Sequence, residues 1–257
     1  MNTPPTHLYV LTGASRGLGA AIADELLQPA TLLLCLSRRT DDGLAERARA
    51  AGAQVDQWSA DLTAPDAVAA RLEAWLGALD AASLRTATLI NNAAALTPTG
   101  PVTEVATGAL AGALRVGLEA PVLLCAAFLR ATRAWSAHKR VLNISSGLGR
   151  RGMAGATSYC AVKAGLDNFT RALALDEALL GERGARVVSL APGVIDTDMQ
   201  VQLRGAAAAG FPEQANFIAL KERGQLASPQ DAARRVLAYL ERADYGANPV
   251  ADVRDAA

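Results

Sequence analysis

Short apolar runs alternate with longer amphipathic stretches along almost the whole chain, and few folds accept that pattern. The runs at His7–Thr12, Thr31–Ser37, Gln54–Ala60, Thr86–Asn91, Arg140–Ser145 and Arg186–Ala191 have the length and the branched or Leu-rich content of buried strands. Between them, Gly17–Leu27, Gly43–Ala51, Pro65–Leu79, Thr103–Thr132, Thr157–Leu180 and Pro229–Arg242 are of helical length, the fourth with room for two helices. Strand and helix repeated in this way predict an α/β fold, a doubly wound parallel sheet with helices on both faces. Thr63 and Ser228, just ahead of Pro65 and Pro229, place a capping hydroxyl at two helix starts.

Composition narrows the function classes. The 257 residues carry 25 Lys+Arg against 25 Asp+Glu, so no broad basic face for nucleic acid is expected. The longest strongly apolar run, Ala120–Leu129, contains Pro121 and falls short of the ~20 residues that span a bilayer, so no membrane partner is expected. A strand starting near His7 leaves no room for a secretory leader. Cys35, Cys125 and Cys160, with only His7 and His138 as imidazoles, suit neither a disulfide framework nor a metal site. A cytoplasmic protein with reduced thiols and no metal is the expectation. No Ser/Gly-rich or single-sign charged stretch marks a linker, so residues 1–257 read as one domain. The segment 196–227 interrupts the alternation after the sixth strand, which places it over the carboxyl edge of the sheet, where such folds bind ligands. It reads as a substrate lid, with simple packing on the core as the alternative.

The first strand ends in Thr12-Gly13-Ala14-Ser15-Arg16-Gly17-Leu18-Gly19 and runs into a helix. Glycines there permit a tight turn and let the backbone approach a pyrophosphate resting on the helix N-terminus. A plain strand-to-helix turn has the same composition, but position in the first strand–helix–strand unit favours a Rossmann-type dinucleotide site. The second strand ends in Ser37-Arg38-Arg39, where an acidic residue would hold both ribose hydroxyls. A guanidinium suits a 2′-phosphate instead, and Arg16 adds a second, so NADP(H) is expected over NAD(H). In a chain with 22 Arg and 3 Lys, plain solvation of these arginines is the alternative. Asp41 and Asp42 come too late for the ribose and read as caps of the next helix.

Ser146 closes the fifth strand, and Tyr159 and Lys163, four residues apart, share one face of a helix. Bringing a phenol from its usual pKa of about 10 toward neutrality takes roughly 4 kcal/mol. An ammonium at about 4 Å supplies energy of that order at an effective dielectric near 20. Taken alone, the pair is as easily a matter of chance.

Together with Asp61-Leu62, Asn91-Asn92-Ala93-Ala94, Asn143-Ile144-Ser145-Ser146 and Ala191-Pro192-Gly193, these motifs stand in the order and spacing of the short-chain dehydrogenase/reductase family. The chain resembles that family from about residue 7 to 245. Asn143–Ser146 with Tyr159-Cys160, the stretch Ala191–Gln200 and the ending Val250–Asp255 are most similar to its sepiapterin reductase and benzil reductase branch, the last as a closing strand. The resemblance implies Tyr159 as general acid, Lys163 as the group that lowers its pKa and holds the nicotinamide ribose, and Ser146 as hydrogen-bond donor to the substrate oxygen. It implies cofactor contacts from Gly13, Ser15, Arg16, Gly17, Leu18, Gly19 and Arg38, and adenine contacts from Asp61 and Leu62. Asn92, Ala93 and Ala94 would line the cofactor's path, and Pro192, Gly193, Val194, Ile195 and Thr197 would seat the carboxamide.

Two positions depart from the family. Gly117 stands where its members have a helix-kinking asparagine that anchors a water between the lysine and solvent, and Ala94 where they prefer glycine. The activity implied is NADPH-dependent reduction of a small-molecule carbonyl, a ketone or a vicinal dicarbonyl of benzil or sepiapterin type, to a secondary alcohol. Its pocket would be bounded by Leu148, Met153, Met199, Phe211 and Phe217. Oxidation of a secondary alcohol is the reverse reading, and a silent dinucleotide sensor, supported only by Gly117, is a third. Family members pair through helices corresponding to Val116–Thr132 and Thr157–Leu180, which implies a homodimer or homotetramer.

Overall fold

Each apolar run becomes a strand. The computed structural model describes residues 4–255. In it β1 (His7–Thr12), β2 (Thr31–Ser37), β3 (Gln54–Ser59), β4 (Thr86–Asn91), β5 (His138–Ile144), β6 (Arg186–Ala191) and β7 (Val250–Asp252) form one parallel sheet in the order β3-β2-β1-β4-β5-β6-β7. The order reverses between β1 and β4, and that switch point opens a crevice at the carboxyl ends of the strands.

Side-chain alternation gives the sheet two apolar faces. Leu11, Leu33 and Cys35 pack with α1 (Gly17–Glu25), α2 (Leu44–Ala50) and α9 (Pro229–Leu240) on one face. Leu8, Val10, Leu34 and Leu36 pack on the other with α3 (Pro65–Gly77) and α5 (Ala120–Thr132), and α6 (Thr157–Ala178) joins that layer through Phe169 and Leu173. Trp58 and Trp75 meet edge to face, 5.8 Å between ring centres, inside this second core.

Thr103–Thr132 resolves into α4 (Thr107–Leu114), a π-helical turn over residues 115–119, and α5, one continuous helical stretch. Thr107–Thr132 is long and apolar enough to cross a membrane by length and composition, a property that counting the unbroken apolar run alone misses. Half of its most apolar window is buried inside the fold, with Leu124 and Phe128 against the sheet.

The excursion 196–227 contains α7 (Asp198–Arg204) and α8 (Gln214–Glu222), packed together. It leaves and rejoins the body at one point. Ile195 bridges Ala227, with Ala227 N donating to Val194 O and Asp196 N to Ala227 O, both at 2.9 Å.

The helix starts divide the two hydroxyls. Ser228 Oγ accepts from Asp231 N at 3.0 Å and caps α9, whereas the residue before Pro65 is Ala64, which leaves Thr63 one position too early to cap α3. Asp61 Oδ1 takes the Thr63 N–H instead, at 2.9 Å. Asp41 likewise accepts from Gly43 N ahead of α2 and pairs with Arg47. Ser228→Ala should therefore lose about 1 kcal/mol in chemical denaturation and Thr63→Ala less than half of that; equal losses would overturn the assignment.

Candidate active site

The glycine loop is held in shape from both sides of the switch point. Gly13 and Gly17 have φ of +71° and +56°, in the left-handed region that other residues rarely adopt. Gly13 N donates to Leu36 O at 2.8 Å and Ala14 N to Ser37 Oγ at 3.0 Å, which ties the loop to the end of β2. On the β4 side, Thr12 Oγ1 accepts from the N–H groups of Asn92 and Ala93, and Asn92 Nδ2 donates to the carbonyls of Thr12 and Gly13. A Cβ on Gly19 would overlap the Gly13 carbonyl oxygen, and one on Gly13 would come within 2.9 Å of Ala93 Cα. The N–H groups of the first turn of α1, lacking intrahelical acceptors, open toward this crevice. A bare backbone cradle at a helix N-terminus suits a pyrophosphate.

The two arginines flank the cradle differently. Arg16 is exposed and ion-paired with Asp198 of α7, while the Arg38 guanidinium is exposed near Asp61. Hydrogen bonds from Thr63, and Arg38 to a smaller extent, hold the Asp61 carboxyl below the usual carboxylate range. The Leu62 side chain lies in the core with Leu36 and Trp58, so it adds no surface to the crevice. Past β6, Gly193 takes φ +82°, Val194 and Ile195 are pinned to Ala227, and Thr197 precedes α7 with its methyl facing Gly17.

Ser146, Tyr159 and Lys163 come together above β5. Ser146 leads into a short 3₁₀ turn (Gly147–Gly149), and its Oγ accepts from Leu148 N at 3.2 Å. Tyr159 is half-buried in the first turn of α6, and burial pushes its phenol up to about 12, opposed by a hydrogen bond with Ser146. Lys163 is 2% exposed, and burial pushes its ammonium down to about 8, opposed by Asp167. Its Nζ donates to Ile144 O at 2.7 Å and lies 5.6 Å from the centre of the Tyr159 ring. Burial is thus a larger influence on the phenol than the Ser146 hydroxyl that opposes it.

An apolar cluster closes over these groups. Met153, Ala156, Leu203 and Phe211 are its buried members, and Leu96, Leu148, Tyr159, Cys160, Met199 and Phe217 pack against them. All five residues expected around a substrate lie in it. Phe211 is completely buried against the Gly155 turn, so it anchors the excursion 196–227, and the half-buried Phe217, stacked on it at 5.6 Å, is the aromatic with free surface.

The short chain dehydrogenase family profile matches residues 7–208. Benzil reductase ((S)-benzoin forming) of Bacillus cereus is 34% identical over 236 residues, covering 92% of this chain and 94% of its own. Sepiapterin reductase of Xenopus tropicalis is 31% identical over 252 residues, covering 93% and 92%. A solved structure of a putative NAD(P)-dependent gluconate 5-dehydrogenase from Beutenbergia cavernae, with NADP bound at low occupancy, is 28% identical with a TM-score of 0.79 over 97% of this chain and 95% of that one. The chain belongs to the short-chain dehydrogenase/reductase family, oxidoreductases that interconvert carbonyl and alcohol groups with a nicotinamide dinucleotide.

Gly117 lies in the π-helical turn, so the break in helical regularity is present without an asparagine. A Cβ at Gly117 would sit 2.5 Å from Val162 Cγ1, which means the valine fills the space a side chain would need. Sequence reasoning left Asp167 out entirely, although an aspartate one turn beyond Lys163 on the same face, between the buried Leu166 and Thr170, was a visible signal. Gly117→Ala should lower stability by about 1–3 kcal/mol through overpacking, and adding Val162→Ala should recover part of that loss in a double-mutant cycle. Strict additivity would show that the two positions do not compete for space.

Proposed function

We propose that the protein is an NADPH-dependent carbonyl reductase of small ketones or vicinal dicarbonyls, and that it acts on planar, apolar substrates of benzil type. The observation that carries this reading is Tyr159 set between Ser146 and an apolar cluster, with a buried lysine behind it. When bound in the crevice, a reduced nicotinamide would supply the hydride. Gly13, Ser15 and the first turn of α1 would hold its pyrophosphate, and Arg16 and Arg38 a 2′-phosphate.

In this reading the Ser146 hydroxyl donates to the carbonyl oxygen, and the Tyr159 phenol gives that oxygen its proton as negative charge builds there. A phenol held near 12 retains its proton until an alkoxide forms, which suits reduction. Lys163, near 8, then returns a proton to the tyrosinate because the lysine is the stronger acid of the two. Leu148, Met153, Met199 and Phe217 exclude water from the exchange. Support for the dicarbonyl class comes from the benzil reductase relatives, and support for reduction over the reverse oxidation from Arg16 and Arg38, placed for a 2′-phosphate, since cells keep NADPH reduced.

We place the protein in the cytoplasm, in keeping with its unpaired thiols. We also propose that it pairs through α5 and α6, where Leu175 and Leu179 are 72% and 86% exposed at the end of α6.

Purified protein should consume NADPH in the presence of benzil. Tyr159→Phe should cut kcat by about a hundredfold or more while leaving NADPH affinity, read by fluorescence titration, nearly unchanged. Silence of the wild type across a broad carbonyl panel would favour the sensor reading, and undiminished turnover by the variant would remove the phenol from the mechanism. Arg38→Asp should shift the ratio of kcat/KM values from NADPH toward NADH by at least about tenfold, as lost phosphate binding is replaced by a ribose acceptor. An unchanged ratio would mean that the phosphate is read elsewhere.

A further inference from the structure

The face of α6 beneath the sheet edge carries a polar row within an apolar layer. Lys163, Asp167 and Thr170 are all buried, at 2%, 1% and 0% exposure, and each bonds a neighbouring element. Lys163 Nζ donates to Ile144 O, the next residue's hydroxyl, Ser145 Oγ, donates to Asp167 Oδ1 at 2.5 Å, and Asn143 Nδ2 donates to Thr170 Oγ1 at 2.9 Å. Asp167 Oδ1 also accepts from Ser189 Oγ of β6 at 2.6 Å. Among the described residues Asp167 Oδ2 has no hydrogen-bond partner and is answered only by Arg150 Nε at 3.6 Å. A buried carboxylate oxygen left in this condition is costly unless its charge is used.

We propose that Asp167 is a positioning residue that serves as the counter-charge of Lys163 and clamps the end of β5 on which Ser146 stands. The two tasks share one carboxylate. Oδ1 grips the hydroxyls of Ser145 and Ser189 and so sets the strand end one residue before Ser146, while the net charge lies one helical turn from the lysine on the same face. The other groups around the lysine do not do this work. From α6 it meets the neutral Tyr159; from the end of β5, the carbonyl of Ile144; and the π-helical turn opposite presents Gly117 and keeps Arg115 and Glu119 exposed. From the turn after β5, Arg150 approaches Asp167 and is itself held by Ala251 O of β7 at 2.7 Å, where the neighbouring Asp252 pairs with Arg254. Among the described residues Asp167 is the one anion acting on the ammonium, and it offsets part of the burial that lowers the lysine.

The direction of the effect is fixed by sign. Without the carboxylate the charged form of Lys163 keeps the Ile144 carbonyl but loses its anionic neighbour, so the lysine releases its proton at lower pH. In the reaction proposed above, which supplies only the kinetic arm of the test, reduction needs the protonated lysine, and the alkaline limb of its pH profile moves down with it.

The decisive measurement does not depend on activity. The chain has three lysines, Lys139, Lys163 and Lys221, so protein labelled with carbon-13 at lysine Cε gives three resolvable titrations, with Lys139→Arg and Lys221→Arg providing assignment. Asp167→Asn should lower the Lys163 titration by about one pH unit or more, and the alkaline limb of kcat/KM for reduction by a similar amount. Asp167→Glu, which keeps the charge, should restore both toward wild type. If Asp167→Asn fails to fold, Asp167→Ser, with room for water at the serine hydroxyls, carries the same comparison. A Lys163 titration equal in the wild type and a folded neutral variant would overturn the proposal, whatever happens to turnover. A shifted titration with no carbonyl turnover in any form would sustain it and count against the reductase reading alone.

Discussion

Placing a lysine ammonium under α6 sets the terms for the rest of the site. An ammonium removed from water needs an acceptor and a counter-charge, and the fold provides both from backbone and sequence that otherwise belong to an apolar layer. The carbonyl of Ile144 is available because the pairing of β5 with β4 ends one residue earlier, at Asn143, and Asp167 brings a negative charge to the same helix face. Gly149 is part of the arrangement, since a Cβ on it would lie 2.6 Å from Asp167 Oδ2 and 2.9 Å from Lys163 O. The tight turn after Ser146 and the polar row of α6 are therefore one solution, and the position of Ser146 follows from it.

A second set of contacts makes the crevice rigid where the strand order reverses. Thr12 ends β1 and Asn91 ends β4; beyond them the Asn92 side chain bonds the carbonyls of Thr12 and Gly13, and Asn91 Nδ2 donates to Asn143 Oδ1 at 2.9 Å. With Asn143 bonded to Thr170, polar contacts run from the glycine loop through β4 and β5 to α6. The glycine loop and the helix that carries Tyr159 are thereby built on one framework, where separate loops would drift relative to each other.

What could be read from the sequence follows from periodicity. The strands and the glycine loop were legible because buried strands are apolar along their length and positive φ at Gly13 and Gly17 all but demands glycine. Thr63 and Ser228 look alike in sequence, and only the helix boundary, one residue nearer in one case, separates a cap from a turn residue. The continuity of α4 and α5 was hidden because Gly108, Gly112, Arg115, Gly117 and Glu119 interrupt the apolar run without interrupting the helix. Asp167 was missed for a different reason. An aspartate on a helix is ordinarily solvated, and its burial depends on Ser145, Ser189 and Arg150 arriving from three other parts of the chain.

The excursion 196–227 connects these two frameworks. Its base is closed by the Ile195–Ala227 bridge and its middle is anchored by Phe211, which leaves α7 spanning from the glycine loop to the apolar cluster. At one end Asp198 pairs with Arg16; at the other, Met199 and Leu203 pack near Tyr159. Both members of the Arg16–Asp198 pair are largely exposed, and an ion pair in water is a weak bond that a doubly charged phosphate displaces readily. In the proposed reading, a guanidinium shared between α7 and a 2′-phosphate would make cofactor loading and the Asp198 contact alternatives at that residue. In the proposed reading the choice of dinucleotide is therefore felt first at the Arg16–Asp198 contact, whereas Lys163, Asp167 and Ser146, tied to β5 and β6, stand apart from that pair.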